Sequence, residues 1–169
     1  MTELWDLLDE NRRPLGKLHR RGDPLPEGSR HLVVEVLVLC GDRLLTTQRH
    51  PQKHNGGYWE VTAGSAVAGE NSVTAAAREL REETGIIASI NELRLLDTIA
   101  TPRIYSDIYL LQLKQFPPVH LQEIETVDFQ WVTLPEMEER CREGMVIPHL
   151  AERFSALRPR LEALIPKEE

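Results

Sequence analysis

The 23 residues 64–86, GSAVAGENSVTAAARELREETGI, decide how this sequence is interpreted. Asn71 or Ser72 can cap a helix, the alanines at 75–77 favour one, and Gly85 is typical of a helix end. The pattern predicts a helix over residues 71–84. The side of this helix that is predicted to face the core carries Val73, Ala76, Ala77, Leu80, Thr84 and Ile87.

Three glutamates share another side of the predicted helix. Glu79, Glu82 and Glu83 stand at positions i, i+3 and i+4, so their carboxylates project within a single turn. Each like-charge pair costs roughly 0.2–0.5 kcal/mol on an exposed helix, and more where water is excluded. Arg78 can neutralise one carboxylate but not all three. Because oxygen ligands favour hard cations, the arrangement predicts a Mg²⁺ site, with Mn²⁺ as a substitute.

The residues around these glutamates complete a longer signature. The pattern GX5EX7REUXEEXGU, in which U is aliphatic, is met at nine positions without a gap. These positions are Gly64, Glu70, Arg78, Glu79, Leu80, Glu82, Glu83, Gly85 and Ile86. The sequence therefore resembles the Nudix hydrolase superfamily, in which this pattern is called the Nudix box, and residues 64–86 match it. The resemblance implies an α/β/α sandwich with a mixed β-sheet.

The resemblance also implies a reaction. Nudix hydrolases cleave a diphosphate linkage, as in a nucleoside diphosphate linked to another moiety or a related small diphosphate. Their box glutamates hold one to three Mg²⁺ or Mn²⁺ ions, so Glu79, Glu82 and Glu83 are expected to be ligands, or one of them a base. The metal neutralises phosphate charge, a carboxylate or the metal activates water, and water attacks one phosphorus.

Further roles follow from the same resemblance. Arg78 is expected to orient the catalytic glutamates, Gly64 to offer a backbone carbonyl near the metal, and Glu70 to be a structural partner. Many relatives add a glutamate from outside the box. Glu125 in EIETVDFQWV best fits that position, with Glu123 as the alternative.

The N-terminal segment points to one branch of the superfamily. Residues 3–36, ELWDLLDENRRPLGKLHRRGDPLPEGSRHLVVEV, resemble the branch related to isopentenyl-diphosphate isomerase. Such isomerases carry a catalytic Cys just before the glycine that opens the box and a metal-binding His just after it, where this sequence has Ala63 and Ser65. Hydrolysis is therefore favoured. The alternatives are an isomerase-like enzyme and a non-catalytic nucleotide-binding Nudix module.

Two histidines, His19 and His31, fall near positions that supply further metal-binding histidines in the isomerase. Because the third histidine of that set is missing, we expect both to be structural.

The rest of the sequence predicts an α/β fold in a single domain over residues 1–169. The first part of this domain, residues 1–28, is predicted to be a hairpin and a loop. The hairpin strands are predicted at 3–8 and 15–20. Further strands are predicted at 31–40, 43–49, 59–63, 93–100, 104–113 and 127–132, and helices at 134–143 and 149–164.

Substrate contacts outside the box are predicted from residue type and position. Basic side chains near the loop before the box can bind phosphate, and aromatic ones can stack on a base. The candidates are Arg49, Lys53 and Arg103 for phosphate, and Trp59, Tyr105 and Tyr109 for stacking.

Charge and composition limit the function classes. A net charge of −7 argues against binding of a nucleic-acid polymer, which requires a basic face. Cys40 and Cys141 form no CxxC pair, which favours a reduced, cytoplasmic protein. The sequence has no membrane-span pattern and no signal pattern at its start. The expected partner is a small diphosphate, and whether the protein forms a homodimer is left open.

Overall fold

Nine strands and three helices make up residues 3–166, the part of the chain that the computed structural model describes. The fold is mixed α/β, with a multi-stranded mixed sheet and an N-terminal β-hairpin, as the sequence predicts. In chain order the elements are β1 Leu4–Leu8, β2 Pro14–Arg20, β3 His31–Cys40, β4 Arg43–Arg49, β5 Trp59–Glu60, β6 Thr62–Ser65, α1 Ser72–Thr84, β7 Arg94–Ala100, β8 Ile104–Leu113, β9 Thr126–Thr133, α2 Leu134–Arg142 and α3 Pro148–Glu162.

The chain divides into two compact units, each assembled from segments that alternate along the sequence. Among the described residues, the first comprises 3–36, 63–81 and 87–111, and the second comprises 37–62, 82–86 and 112–166. The strand β3 and the helix α1 each contribute residues to both. We expected one domain over residues 1–169, and that expectation stays a prediction.

The first unit contains the hairpin β1–β2 and strands that pair in the order β6-β3-β8-β7. In the hairpin Leu4 lies opposite Arg20 and Trp5 opposite His19. β8 is buried almost along its whole length, because its alternating side chains are covered on both faces. Ala75, Ala76 and Leu80 of α1 are fully buried and give this unit its helical packing surface.

The second unit is organised around β4, which pairs with β3, β5 and β9. β9 runs antiparallel to β4 from the pair Arg43–Thr133 to the pair Arg49–Thr126. Thr133 caps α2 by accepting a hydrogen bond from Glu136 N, and the Glu136 carboxylate accepts from Thr133 N in return. The buried side chains of the two C-terminal helices are Leu134, Met137, Leu150, Phe154, Leu157 and Leu161.

The extent of one predicted strand and the burial predicted for one residue differ from the structure. The segment 59–63 was expected to be one strand, but Trp59–Glu60 pairs with β4 whereas Thr62–Ser65 pairs with β3, so the strand is divided where its partner changes. Ile87 was expected to face the core and is 83% exposed, because α1 ends at Thr84 and the backbone no longer follows the helical period.

No helix among residues 3–166 has the length and hydropathy needed to cross a lipid bilayer.

Candidate active site

The helix α1 carries all three glutamates of the predicted metal site. It begins where Asn71 Oδ1 accepts a hydrogen bond from Thr74 N at 2.9 Å, and Gly85 follows it with φ +73°. These are the capping features that the sequence predicts. Along the helix Glu79 is half-buried, Glu82 is exposed and Glu83 is buried. The glutamate side of α1 is therefore only partly open to solvent.

Arg78 connects the loop of the box to its helix within the first unit. Its Nε and Nη2 donate to the two oxygens of Glu70 at 2.7 and 2.9 Å, and its Nη1 donates to Glu79 Oε1 at 2.8 Å. Nη2 also donates to the Ser65 carbonyl at 3.1 Å. The guanidinium thus fixes the carboxylate of Glu79 relative to the strand β6. The catalytic role expected of Arg78 stays a prediction.

Arg78 and Glu70 each stabilise the charged form of the other. The hydrogen bond to Glu70 raises the pKa of Arg78 above its ordinary value, despite partial burial. Burial would raise the pKa of the Glu70 carboxyl, but hydrogen bonds from Arg78 and from the Val67 amide outweigh it and hold that pKa below the ordinary value. Both groups are therefore charged near neutral pH, and the structural role expected of Glu70 stays a prediction.

Gly64 leaves room for the Glu79 carboxylate. A Cβ atom built on Gly64 would overlap the carboxylate carbon and both carboxylate oxygens of Glu79. Only a residue without a side chain lets Glu79 lie against the backbone of β6. The spacing between the first glycine and the first glutamate of the box helix thus has a steric basis in this chain.

In the second unit, a loop docks on the C-terminal end of α1. His120 N donates to the Thr84 carbonyl at 2.8 Å and Gln122 N donates to the Glu83 carbonyl at 3.3 Å. These bonds satisfy carbonyls that a helix end leaves without partners. Three residues further on is Glu125, which is half-buried, whereas Glu123 is exposed. The loop therefore ties Glu125, rather than Glu123, into the structure near the helix end.

Glu125 contacts the loop that precedes the box. Its carboxylate forms an ion pair with Lys53, and its carbonyl accepts from His50 N at 2.9 Å. Arg49, on β4, donates through Nη1 to both oxygens of Glu60 at 2.9 and 2.8 Å. Burial raises the pKa of Glu60, against the opposing effect of Arg49. Sequence analysis missed Glu60, because an acidic residue beside an aromatic one in a short strand carries no signal of pairing.

The aromatic residues that were predicted to stack on a base are buried in the structure. Trp59 is 5% exposed, and the guanidinium carbon of Arg140 lies 4.5 Å from its ring centroid. Tyr105 is buried, and its hydroxyl donates to the Glu10 carbonyl at 2.6 Å. Tyr109 is buried as well, whereas Arg103 is exposed. Stacking by these aromatic residues stays a prediction and requires a side chain to move.

His19 and His31 lie in an aromatic cluster with Trp5. The rings of Trp5 and His31 are stacked with centroids 4.1 Å apart, and a His19 ring nitrogen lies 3.2 Å from the Asp23 carbonyl. Burial, together with electrostatic repulsion from His19, Arg103 and Arg21, lowers the pKa of His31 to about 4. This packing agrees with the structural role expected for both histidines.

Across residues 3–166, no three or more His, Cys, Asp and Glu side chains are grouped so as to hold a metal ion. The donor chemistry nevertheless fits a hard cation, because the box supplies carboxylate oxygens and Glu79 lies directly against the Gly64 backbone.

Comparison with known proteins identifies the class to which this fold and this box belong. The NUDIX domain model matches residues 29–150, well over half of the chain. The chain belongs to the Nudix family and is a Nudix hydrolase. An uncharacterised Nudix hydrolase from Listeria monocytogenes is 35% identical over 151 residues, covering 87% of this chain and 89% of that protein. The relatives also include a protein from Proteus vulgaris named 8-oxo-dGTP diphosphatase.

Two further comparisons concern the branch and the fold. An isopentenyl-diphosphate Delta-isomerase from Cereibacter sphaeroides is 29% identical over 155 residues, covering 85% of this chain and 84% of that protein. The likeness to the isomerase branch is thus confirmed as a relationship within the superfamily. A crystal structure from Deinococcus radiodurans has a TM-score of 0.77 at 22% identity, covering 91% of this chain and 98% of that one, and shows the same fold.

Proposed function

We propose that this Nudix hydrolase cleaves the diphosphate linkage of a nucleoside diphosphate linked to another moiety, or of a related small diphosphate, with Mg²⁺ or Mn²⁺. The observation that carries the proposal is the hydrogen-bonded arrangement of Glu70, Arg78 and Glu79 against Gly64. The arginine holds one glutamate in place beside the glycine, so the carboxylate is already oriented before substrate binds. Such preorganised charged groups are what electrostatic catalysis uses.

The proposed ligands are the carboxylates of Glu79, Glu82, Glu83 and Glu125, with the carbonyl of Gly64. When bound, the divalent ion would neutralise phosphate charge and increase the acidity of water. Arg78 keeps the Glu79 carboxylate oriented, because its guanidinium is fixed by Glu70 and by the Ser65 carbonyl. Proposing Glu125 is supported by its burial and by the docking of its loop on α1.

In the proposed reaction the oxygen of a water molecule forms a bond to one phosphorus, and the bond from that phosphorus to the bridging oxygen breaks. A box glutamate accepts the proton of the water, and the departing phosphate leaves as the second product. The base is one of three box glutamates, Glu79, Glu82 or Glu83. Substituting each of them in turn identifies the one that accepts the proton.

Phosphate binding is assigned to Arg49, Lys53 and Arg103. A protein with a net charge of −7 must attract a polyanion through local cations. Lys53 forms an ion pair with Glu125, and Arg49 forms one with Glu60. Both basic side chains are therefore held in place by acidic groups. We place the reaction in a reducing compartment, which the free cysteines Cys40 and Cys141 support.

The test is a product-release assay with Mg²⁺ across nucleoside di- and triphosphates, ADP-ribose, NADH, CoA and dinucleoside polyphosphates. Isopentenyl diphosphate is incubated in parallel. We expect release from at least one diphosphate, and a loss of about 100-fold or more in Glu83→Gln. Glu139→Gln, at an exposed position on α2, is the matched control and should keep full activity.

Two results would count against the proposal. Full activity in Glu83→Gln would mean that the Nudix box does not take part in the reaction. Conversion of isopentenyl diphosphate without release from any other substrate would identify an isomerase instead.

A further inference from the structure

The N-terminal hairpin is attached to the loop of the Nudix box. We use "box loop" for residues 66–71, which connect β6 to α1. The Leu4 carbonyl accepts a hydrogen bond from Ala68 N at 2.8 Å, and Asp6 Oδ2 accepts one from Gly69 N at 2.7 Å. Both donors belong to the box loop and both acceptors to β1. The second bond ends on a carboxylate, which makes it stronger than a neutral one.

From the box loop, the hydrogen bonds continue to Glu79. Glu70 Oε2 accepts from Val67 N at 3.0 Å, which closes the box loop on itself. Both Glu70 oxygens also accept from Arg78, which in turn donates to Glu79 at 2.8 Å. An unbroken series of contacts thus runs from Asp6, through the box loop, Glu70 and Arg78, to a proposed metal ligand. All these residues lie in the first unit.

A second attachment joins the turn of the hairpin to the start of α1. Arg12, in the turn, donates to both carboxylate oxygens of Asp107 on β8. Asp107 also accepts from Thr98 Oγ1 at 2.7 Å and from Ser72 Oγ, and Ser72 is the first residue of α1. The buried carboxylate therefore fixes the hairpin and the N-terminus of the helix at the same point. A negative charge there is also favourable to the helix dipole.

We propose that Asp6 is a positioning residue for Glu79, acting through the box loop, Glu70 and Arg78, so that its bond to Gly69 N supports the geometry of the box. The proposal rests on the proposed function, since it concerns the same box. Partners that orient the residues directly around a metal commonly change metal affinity or activity by about 10–100-fold when removed. The competing view is that the hairpin only adds stability.

Three variants separate these views. Asp6→Ala removes the acceptor for Gly69 N, whereas Asp6→Asn keeps an oxygen that can accept the same bond without its charge. Glu3→Gln is the matched control, because Glu3 lies in the same hairpin and its carboxylate forms a partly exposed ion pair with Arg21 at 2.8 Å. It removes one acidic group from the hairpin and changes none of the contacts described above.

The kinetic readout is the division between kcat and KM on a substrate that the wild type hydrolyses. Asp6→Ala should lower kcat about ten-fold with KM changed less than about two-fold, and Asp6→Asn should recover most of the loss. Glu3→Gln should match the wild type. An unchanged kcat in Asp6→Ala, in protein that remains folded at the assay temperature, overturns the proposal.

Two further readouts do not require turnover, so they remain informative if the proposed function fails. Hydrogen exchange at the Gly69 amide should be slow in the wild type and in Glu3→Gln, and faster in Asp6→Ala. Mn²⁺ affinity, measured by electron paramagnetic resonance, should fall about ten-fold in Asp6→Ala alone. Fast exchange at Gly69 in the wild type, or equal Mn²⁺ affinity in all variants, would contradict the positioning role.

Discussion

At the scale of single residues, the placement of Glu79 depends on what Gly64 lacks. The backbone of Gly64 lies outside the left-handed region, so an alanine suits its conformation, yet its Cβ would overlap the Glu79 carboxylate. At Gly64 the obstacle to a side chain is therefore the position of the Glu79 carboxylate and not the backbone conformation.

We therefore predict that Gly64→Ala lowers kcat by about 100-fold, because Glu79 is displaced from its bond with Arg78. The melting temperature should change little, since the backbone is compatible with alanine. Steady-state kinetics and thermal unfolding of the same preparation check the prediction. A variant with wild-type kcat would mean that the position of Glu79 against Gly64 is irrelevant to the reaction.

A second prediction at this scale concerns acid stability. His31 has a pKa of about 4 in the folded protein, against an ordinary value of 6.5. Because the folded-state pKa is lowered, the stability from neutral His31 is complete above about pH 6.5 and is lost as the pH falls towards 4. His31→Phe, which keeps a ring to stack on Trp5, should flatten the fall in unfolding free energy over this range.

Urea unfolding at several pH values between 7 and 4 measures this effect. His54→Gln, at an exposed position, is the control and should retain the wild-type pH dependence. If wild type and His31→Phe lose stability in parallel, the burial of His31 contributes nothing to acid sensitivity.

The residues of the box could be predicted from sequence, and those that support it could not. Arg78 and Glu79 follow from a local pattern, since the helical period brings them to known relative positions. Asp6 and Arg12 contact Gly69 and Asp107, which lie 63 and 95 residues away in sequence. No periodicity relates such residues, so their contacts are known only once the chain is folded.

At the scale of elements, prediction succeeded where one signal dominated. The helix predicted over residues 71–84 is α1 Ser72–Thr84, and the strand predicted at 104–113 is β8 Ile104–Leu113. Prediction failed where pairing partners decided the outcome, as in the division of residues 59–63 between β5 and β6. The burial predicted for Ile87 was wrong because a helical period was extended past a helix end.

The end of α1 offers a test at this scale. Gly85 has φ +73°, and an added Cβ would lie 3.0 Å from His120 Cβ. Gly144, after α2, has φ +69° with nothing within 4 Å of an added Cβ. We predict that Gly144→Ala costs about 1–2 kcal/mol through the left-handed backbone alone, and that Gly85→Ala costs more because it also pushes away the loop that leads to Glu125.

Urea unfolding of the two variants measures the difference, and the kcat of Gly85→Ala should also fall because that loop is displaced. Equal losses of stability in both variants would mean that the loop yields to the added methyl group without cost.

At the scale of the whole molecule, an acidic protein is proposed to act on an acidic substrate. The net charge of −7 gives no general attraction for a polyphosphate. We propose that recognition relies on the bound divalent ion and on local cations, among them Arg49, which is paired with Glu60, and Lys53, which is paired with Glu125. We propose that the box glutamates, together with these cations, serve the addition of water to a diphosphate.

The most direct test of that claim is to run the reaction in H₂¹⁸O and to follow the label in the products by mass spectrometry. With Mg²⁺, one ¹⁸O atom should enter a phosphate product for each diphosphate linkage cleaved. Incorporation should stop in EDTA and fall by about 100-fold or more in Glu79→Gln. Absence of ¹⁸O from the products of every diphosphate, with isopentenyl diphosphate rearranged and its phosphates unlabelled, would contradict the account.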